Sequence, residues 1–322
     1  MNNEIEKPLD SEKLLLEPNT LWQKTIEVTH SARQTGALKS IETEYHIIEQ
    51  QDIAFLVRSL ANVVRKEKAK KEQQKKEKEI GKYFDPFLPY ETALFVSDIT
   101  KTHLCLLNKF NVVNNHLLIV TRDFELQTDL INLDDFIALW ACMREIDGLA
   151  FFNGGETAGA SQKHKHLQLV PLPFIPNTEF LPIAPAINKV KFSNSLGTIP
   201  SFPFKNAIAN LNLTSFDNSA TAAKVMLDCY YTLLENVGFT LDKNSNKQPG
   251  SYNFLATKNW MLVIPRTQES SHGISVNSLG FAGSLFVKSE AAFELLKEIT
   301  PIKLLSEVSV KAQNQIELTD FF

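Results

Sequence analysis

The apolar positions of this 322-residue chain change period several times, and each change predicts an element. Helical spacing runs through residues 11–35 and again through 51–64. Leu104–Phe110 and His116–Arg122 are strand-like and meet at a turn around Asn114-Asn115. A helix is predicted from about Leu133 to Asp147. Asp134 and Asp135 suit its positive end, Phe136, Trp140 and Met143 form one stripe, and Gly148 ends it. Leu149–Asn153 and His164–Pro171 read as paired strands around a Gly154–Gln162 loop. Prolines between 171 and 203 predict a long irregular connection. A second long helix is expected from Asn218 to Gly238, with Ala222, Val225, Met226, Cys229 and Leu233 inward. Tyr252–Ala256 and Trp260–Pro265 predict a hairpin turning through Thr257-Lys258-Asn259, and a last helix falls near Ser289–Glu298. This order predicts an α+β fold, a mainly antiparallel β-sheet flanked by helices. No internal repeat is evident in the sequence.

One strand carries polar residues where an apolar face is expected. In Gly159-Ala160-Ser161-Gln162-Lys163-His164-Lys165-His166-Leu167-Gln168-Leu169-Val170, residues two apart share a face. His164, His166 and Gln168 therefore lie together, while Leu167 and Leu169 face the core. Two histidines on one face could instead hold a metal, but no third ligand is apparent nearby and Gln is a poor one. They could also be ordinary buried histidines. The coincidence of a small-residue loop, a strand and alternating polar positions favours chemistry on a phosphate. A neutral imidazole is a competent nucleophile near pH 7. Gln168, the Ser161 hydroxyl and the backbone N–H groups of Gly159, Ala160, Ser161 and Gln162 are candidate donors to phosphate oxygens. His164 would orient His166 or the local backbone. Asn153 precedes the loop and could bond a ribose or α-phosphate, or cap the turn.

Composition narrows the class. The net charge of −4 and pI near 6.0 give no basic field for nucleic acid. The run from Arg65 to Glu79 is dominated by charge, lacks apolar residues for a core, and reads as a solvated helix extension or mobile loop. Cys105, Cys142 and Cys229 are scattered and odd in number, which suits buried thiols in a reducing compartment. No signal peptide is visible, and no apolar run approaches the roughly 20 residues that span a bilayer. A cytoplasmic protein without membrane or nucleic-acid partners is expected, as a monomer or small homo-oligomer.

The His-x-His-x-Gln core resembles the histidine-triad superfamily, with Gln168 in place of the third histidine. That substitution is similar to the superfamily's transferase branch. Asp85–Glu91, Leu107–Val113, Asn115–Arg122, Phe151–Gly155 and Asn277–Gly283 resemble the ATP adenylyltransferases, which are diadenosine tetraphosphate (Ap4A) phosphorylases. The resemblance runs from about residue 20 to the C-terminus. It implies a catalytic region over 1–180 and, over 181–322, a region completing the substrate site. It implies reversible phosphorolysis of Ap4A to ADP and ATP through an adenylyl-histidine, with His166 as nucleophile. Ser97-Asp98 match one nucleotide contact of the family, and Asn277-Ser278-Leu279 with Lys288 match another. Lys66, at the start of the charge run, matches a polyphosphate contact most weakly. His103, His116 and His272 are read as structural. Mg²⁺ or another divalent cation would accompany the nucleotide rather than occupy a protein cage. A hexose-1-phosphate nucleotidylyltransferase should show zinc-ligand cysteines and a proline at Lys165, and has neither here. A nucleotide-binding sensor without catalysis is the remaining alternative.

Overall fold

The structure is a computed structural model that describes residues 14–59, 84–175, 181–215, 219–242 and 244–312. The chain runs α1 (Leu21–Gln34), β1 (Glu44–Gln50), β2 (Ile53–Ser59), β3 (Phe95–Asp98), β4 (His103–Leu107), β5 (Leu117–Thr121), α2 (Leu133–Glu145), β6 (Gly148–Asn153) and β7 (His166–Pro171). It continues through α3 (Ala184–Ile187), β8 (Leu196–Gly197), β9 (Ala207–Asn210), α4 (Ser219–Asn236), β10 (Tyr252–Ala256) and β11 (Trp260–Pro265). Last come β12 (Ser270–Ser271), β13 (Ile274–Ser275), α5 (Ser278–Phe281), β14 (Ser284–Val287), α6 (Glu290–Ile299) and α7 (Pro301–Glu307).

Nine strands form one antiparallel sheet in the order β3-β4-β5-β7-β6-β10-β11-β9-β8. The order contains a hidden symmetry. From β5 the chain passes through α2 to the β6–β7 hairpin; from β9 it passes through α4 to the β10–β11 hairpin. The two units lie on opposite sides of the β6–β10 pairing, where Phe152 meets Phe254. A strand–helix–hairpin unit thus occurs twice, although no repeat is visible in the sequence. Only the first copy carries histidines: β11 reads Trp-Met-Leu-Val-Ile-Pro and is wholly buried.

The helices expected over 133–147 and 218–238 form close to their predicted ends, and α2 shows why; in the 11–35 stretch the helix begins only at Leu21, after Leu14 bridges to Thr100 and the chain turns. Asn132 accepts from the Asp135 N–H while the Asp135 carboxylate accepts from the Asn132 N–H, a reciprocal cap worth about 1 kcal/mol. Phe136, Trp140 and Met143 are buried as the stripe predicts. In α4, Ala222, Met226 and Leu233 are buried and Val225 and Cys229 half-buried. The helices α1, α2 and α4 cover one face of the sheet through a core containing Phe136, Trp140, Leu167, Leu169, Tyr230 and Phe254. The small β1-β2-β14 sheet and the short helices pack on a second core, around Phe151, Val170, Leu255 and Phe281.

Residues 51–64 depart from expectation. Ile53–Ser59 is a strand, and residues 60–64 lie outside the described residues. Gln51 and Asp52 both have positive φ, 49° and 67°, so they close a two-residue hairpin in which Gln50 pairs with Ile53. The continuous apolar run Ile53–Val57 looks helical by spacing alone, because a fully buried strand has no alternation to read. The run from 65 to 79 also lies outside the described residues. No helix among the described residues is long and apolar enough to cross a membrane.

Candidate active site

His166 opens β7 and is only 4% exposed. Its Nδ1 lies 2.8 Å from the His164 carbonyl oxygen. A carbonyl only accepts, so Nδ1 carries the proton and Nε2 keeps a lone pair. Burial pushes the His166 pKa down to about 4, leaving the ring neutral at pH 7. The backbone is pinned from the other side by Gln127. Its Oε1 accepts from the His166 N–H at 2.8 Å, and its Nε2 donates to the Asn153 and His166 carbonyls at 2.9 and 3.3 Å.

Gln168 is held by a histidine that the sequence reading set aside. His116 Nε2 meets Gln168 Oε1 at 2.9 Å, and Asn108 Nδ2 lies 3.2 Å from His116 Nδ1. With Asn108 donating, His116 must donate to Gln168, which turns the Gln168 Nε2 amide away as a donor. His116 is therefore more than packing. Its signal was available: Leu118 pairs with Gln168 across β5–β7, so His116 shares the face of His166 and Gln168.

The alternation read from the motif holds, with rings of both His164 and His166 against Phe87 at 5.7 and 5.2 Å. The strand itself starts at His166; His164 sits in an isolated bridge to Leu126. Both His164 nitrogens are engaged, Nδ1 by Asp85 Oδ2 at 2.8 Å and Nε2 by Thr121 at 2.9 Å. That occupancy removes His164 from any metal pair with His166. Lys165 points through the sheet and is fully buried. Its Nζ meets Asp135 at 2.5 Å and Glu125 at 3.1 Å, and Asp135 also meets His103 Nε2 at 3.0 Å. Burial works against charge on Asp135, but His103 and Lys165 outweigh it and hold the carboxyl below its usual range. His103 is thus structural, as read, and His272 pairs with Glu307 at the surface.

The loop from 154 to 162 packs against Gln248, Tyr252 and the Val276–Asn277 segment. Gly159 adopts φ 89°, and a Cβ there would lie 2.8 Å from the Val276 carbonyl and 2.9 Å from Asn277 Cβ. Only glycine allows this approach. It joins two segments singled out separately in the sequence. The loop spends two of its expected phosphate donors on itself: the Gly159 N–H bonds Glu156 O and the Ala160 N–H bonds Gly155 O. Ser161 is exposed and Gln162 half-exposed.

Asn153 Oδ1 accepts from Ser278 N at 2.9 Å, Ser278 Oγ at 2.7 Å and Asn253 Nδ2 at 2.9 Å. Arg266 braces the same point from behind, reaching Asn253 Oδ1 at 2.5 Å and the Val276 carbonyl at 3.0 Å. Burial lowers its pKa to about 10, which leaves it charged at neutral pH. Neither Asn253 nor Arg266 was legible in sequence, because they reach Asn153 and the 154–162 loop from a distant part of the chain.

Comparison with known proteins decides the family. The model of the Ap4A phosphorylase N-terminal domain matches residues 11–189, more than half of the chain, and that of the ATP adenylyltransferase C-terminal domain matches residues 200–311. The chain belongs to the Ap4A phosphorylase family. It is 28% identical over 309 residues to diadenosine 5',5'''-P1,P4-tetraphosphate phosphorylase 2 of Saccharomyces cerevisiae, covering 88% of this chain and 92% of that one. The crystal structure of yeast Ap4A phosphorylase Apa2 superposes with a TM-score of 0.72 at 24% identity, covering 94% of this chain and 97% of the other. Apa2 in complex with Ap4A gives 0.68 at 22% identity, covering 91% and 98%. These superpositions establish a shared fold.

The other expected residues of this family member are distributed unevenly. Asp98, Leu104, Val120 and His166 are in register across adjacent strands and share a face. Three strand spacings put Asp98 about 14 Å from His166, and its carboxylate pairs with Arg122. Ser97 is in register with Cys105, Ile119 and Leu167, so it faces the helix layer, 6% exposed, and is withdrawn from the site face. Between Asp98 and His166 lies an apolar strip of Phe87, Leu104, Leu106, Leu118 and Val120, edged by the stacked Tyr90–Phe95 pair. Asn277 is half-exposed against Gly159 and caps α5 by accepting from Leu279 N. Ser278 and Leu279 are buried, Ser278 behind Asn153 and Leu279 in the second core. Lys288 is exposed just past β14, beside Ser59 of β2. Lys66 lies outside the described residues.

Proposed function

We propose that this protein is a nucleotidyltransferase that cleaves Ap4A with phosphate, giving ADP and ATP, and runs the reverse synthesis. The observation that carries the reading is the neutral His166, its Nε2 lone pair left available by the Nδ1–carbonyl bond, beside a Gln168 amide turned to donate. Nε2 attacks the α-phosphorus of one adenylyl group. The bond to the bridging oxygen breaks, ATP leaves, and AMP remains joined to His166 as a phosphoramidate. An oxygen of inorganic phosphate then attacks the same phosphorus, forms ADP and returns the electron pair to Nε2. Charge growing on the non-bridging oxygens is met by Gln168 and by Ser161 in the loop. The apolar strip from Phe87 to Val120 suits an adenine ring.

Asn153, its Oδ1 committed to Ser278 and Asn253, would offer its Nδ2 to the ribose or α-phosphate. Asn277 and Lys288 would act toward the outgoing polyphosphate. Asp85 and Asp98 are engaged by His164 and Arg122, so Mg²⁺ would arrive on the polyphosphate rather than in a protein cage. Three cysteines without disulfide partners suit a cytoplasmic location. Incubation with Ap4A and phosphate tests the reading. Equal release of ADP and ATP, dependent on phosphate, is expected; release of AMP without phosphate dependence would refute it.

A further inference from the structure

A polar cavity of about 550 Å³ lies between α1, the 38–43 segment, β2 and the β4–β5 turn. Arg33 and Arg58 line it, with Thr43, Asn111 and Asn114, and Glu42 is exposed at its rim. Arg58 bonds Thr43 Oγ1 at 3.2 Å and the Phe174 carbonyl at 3.1 Å, while its buried Nε has no acceptor. Arg33 donates to Asn114 Oδ1 at 2.8 Å. Among the described residues neither guanidinium is paired with a carboxylate. Burial lowers the pKa of Arg58, against a smaller opposing influence of Tyr45, whose ring centroid lies 6.0 Å from the guanidinium.

Holding a half-buried guanidinium unpaired is costly, and an anion would remove the cost. Two guanidiniums from separate elements match a group with several spread acceptor oxygens better than a single carboxylate. The volume exceeds what one phosphate needs and falls in the range that holds a nucleotide-sized ligand. We infer that this cavity binds a polyphosphate group through Arg33 and Arg58. Its source is either the far end of a dinucleotide polyphosphate engaged at His166 or a free polyphosphate-bearing effector. The β4–β5 turn makes both spatially reasonable: Asn111 and Asn114 line the cavity, and the same turn carries Asn108 and His116, which hold Gln168. The inference rests on the cavity's own groups and survives failure of the Ap4A reading.

Calorimetry with tripolyphosphate, without divalent cations, tests it on the full chain. Arg58→Gln and Arg33→Gln should each weaken one binding event at least tenfold, and Arg58→Lys should weaken it less. Arg33 is exposed, so its variant keeps the test readable if Arg58→Gln misfolds. Repeating the titration on His166→Ala saturated with Ap4A separates the sources. Loss of tripolyphosphate binding assigns the cavity to the dinucleotide's far end, and retained binding assigns it to an effector. Absence of binding, or binding indifferent to both arginines, overturns the inference.

Discussion

At the scale of single residues, the proposed chemistry depends on two hydrogen bonds that fix which atom would do what. The His164 carbonyl fixes the tautomer of His166, and His116 fixes the amide of Gln168. Gln168→Ala should lower kcat about 10²–10³-fold, the usual cost of one donor to a developing oxyanion. His116→Ala should act through Gln168, lowering kcat by a smaller factor with little change in KM for Ap4A. Steady-state kinetics on the two variants and their double mutant check this, since a shared route requires non-additive losses. The pKa of His166 sets a second expectation. Its folded value of about 4 lies below the ordinary 6.5, so between those pH values the unfolded chain binds the proton and the folded one does not. The stability associated with this group is full above pH 6.5 and is lost as pH falls toward 4, on the order of 3 kcal/mol. The acid limb of kcat/KM should accordingly fall near pH 4, and a limb near 6.5 would show His166 to be solvated.

At the scale of elements, the catalytic strand is anchored from its opposite face. Lys165 separates the two histidines and buries its charge on Asp135. Lys165→Met should destabilise by about 3–5 kcal/mol in urea unfolding, because Asp135 loses its buried partner. Adding Asp135→Leu should recover part of that loss. The loop depends on one glycine: Gly159→Ala combines left-handed strain with a clash against the Val276 carbonyl. It should weaken AMP binding about tenfold or more by calorimetry and also lower the unfolding midpoint, since the strain alone costs on the order of 1–3 kcal/mol. The same elements show what a sequence reveals. The Tyr252–Ala256 and Trp260–Pro265 strands were readable to the residue because a polar turn bounds both. Residues 53–59 were not, because burial on both faces erased the alternation. His164, His166 and Gln168 stood out because polar side chains interrupt an apolar strand. Gln127, Asn253 and Arg266 did not, since the partners through which they reach the site lie from 10 to 108 positions away, although Arg266 also bonds the nearby Gln268 and Glu269 carbonyls. Ser97 and Asp98, adjacent in sequence, were read as a unit, and the pleat sends them to opposite faces.

At the scale of the whole molecule, a strand–helix–hairpin unit occurs twice in one sheet, but His164, His166 and Gln168 all belong to one copy. The second hairpin supplies Asn253, Arg266 just beyond β11, and buried apolar strands. Its role is to brace Asn153 and the 154–162 loop from across the β6–β10 pairing. The proposed chemistry therefore rests on a single candidate nucleophile, His166. The most direct test is intact-protein mass spectrometry after brief exposure to Ap4A without phosphate, beside His166→Ala. A single AMP-sized addition on the native chain alone, discharged by phosphate to ADP, is the predicted result. A folded, Ap4A-binding native chain that shows no adduct, or a His166→Ala chain that still forms one, would contradict the account.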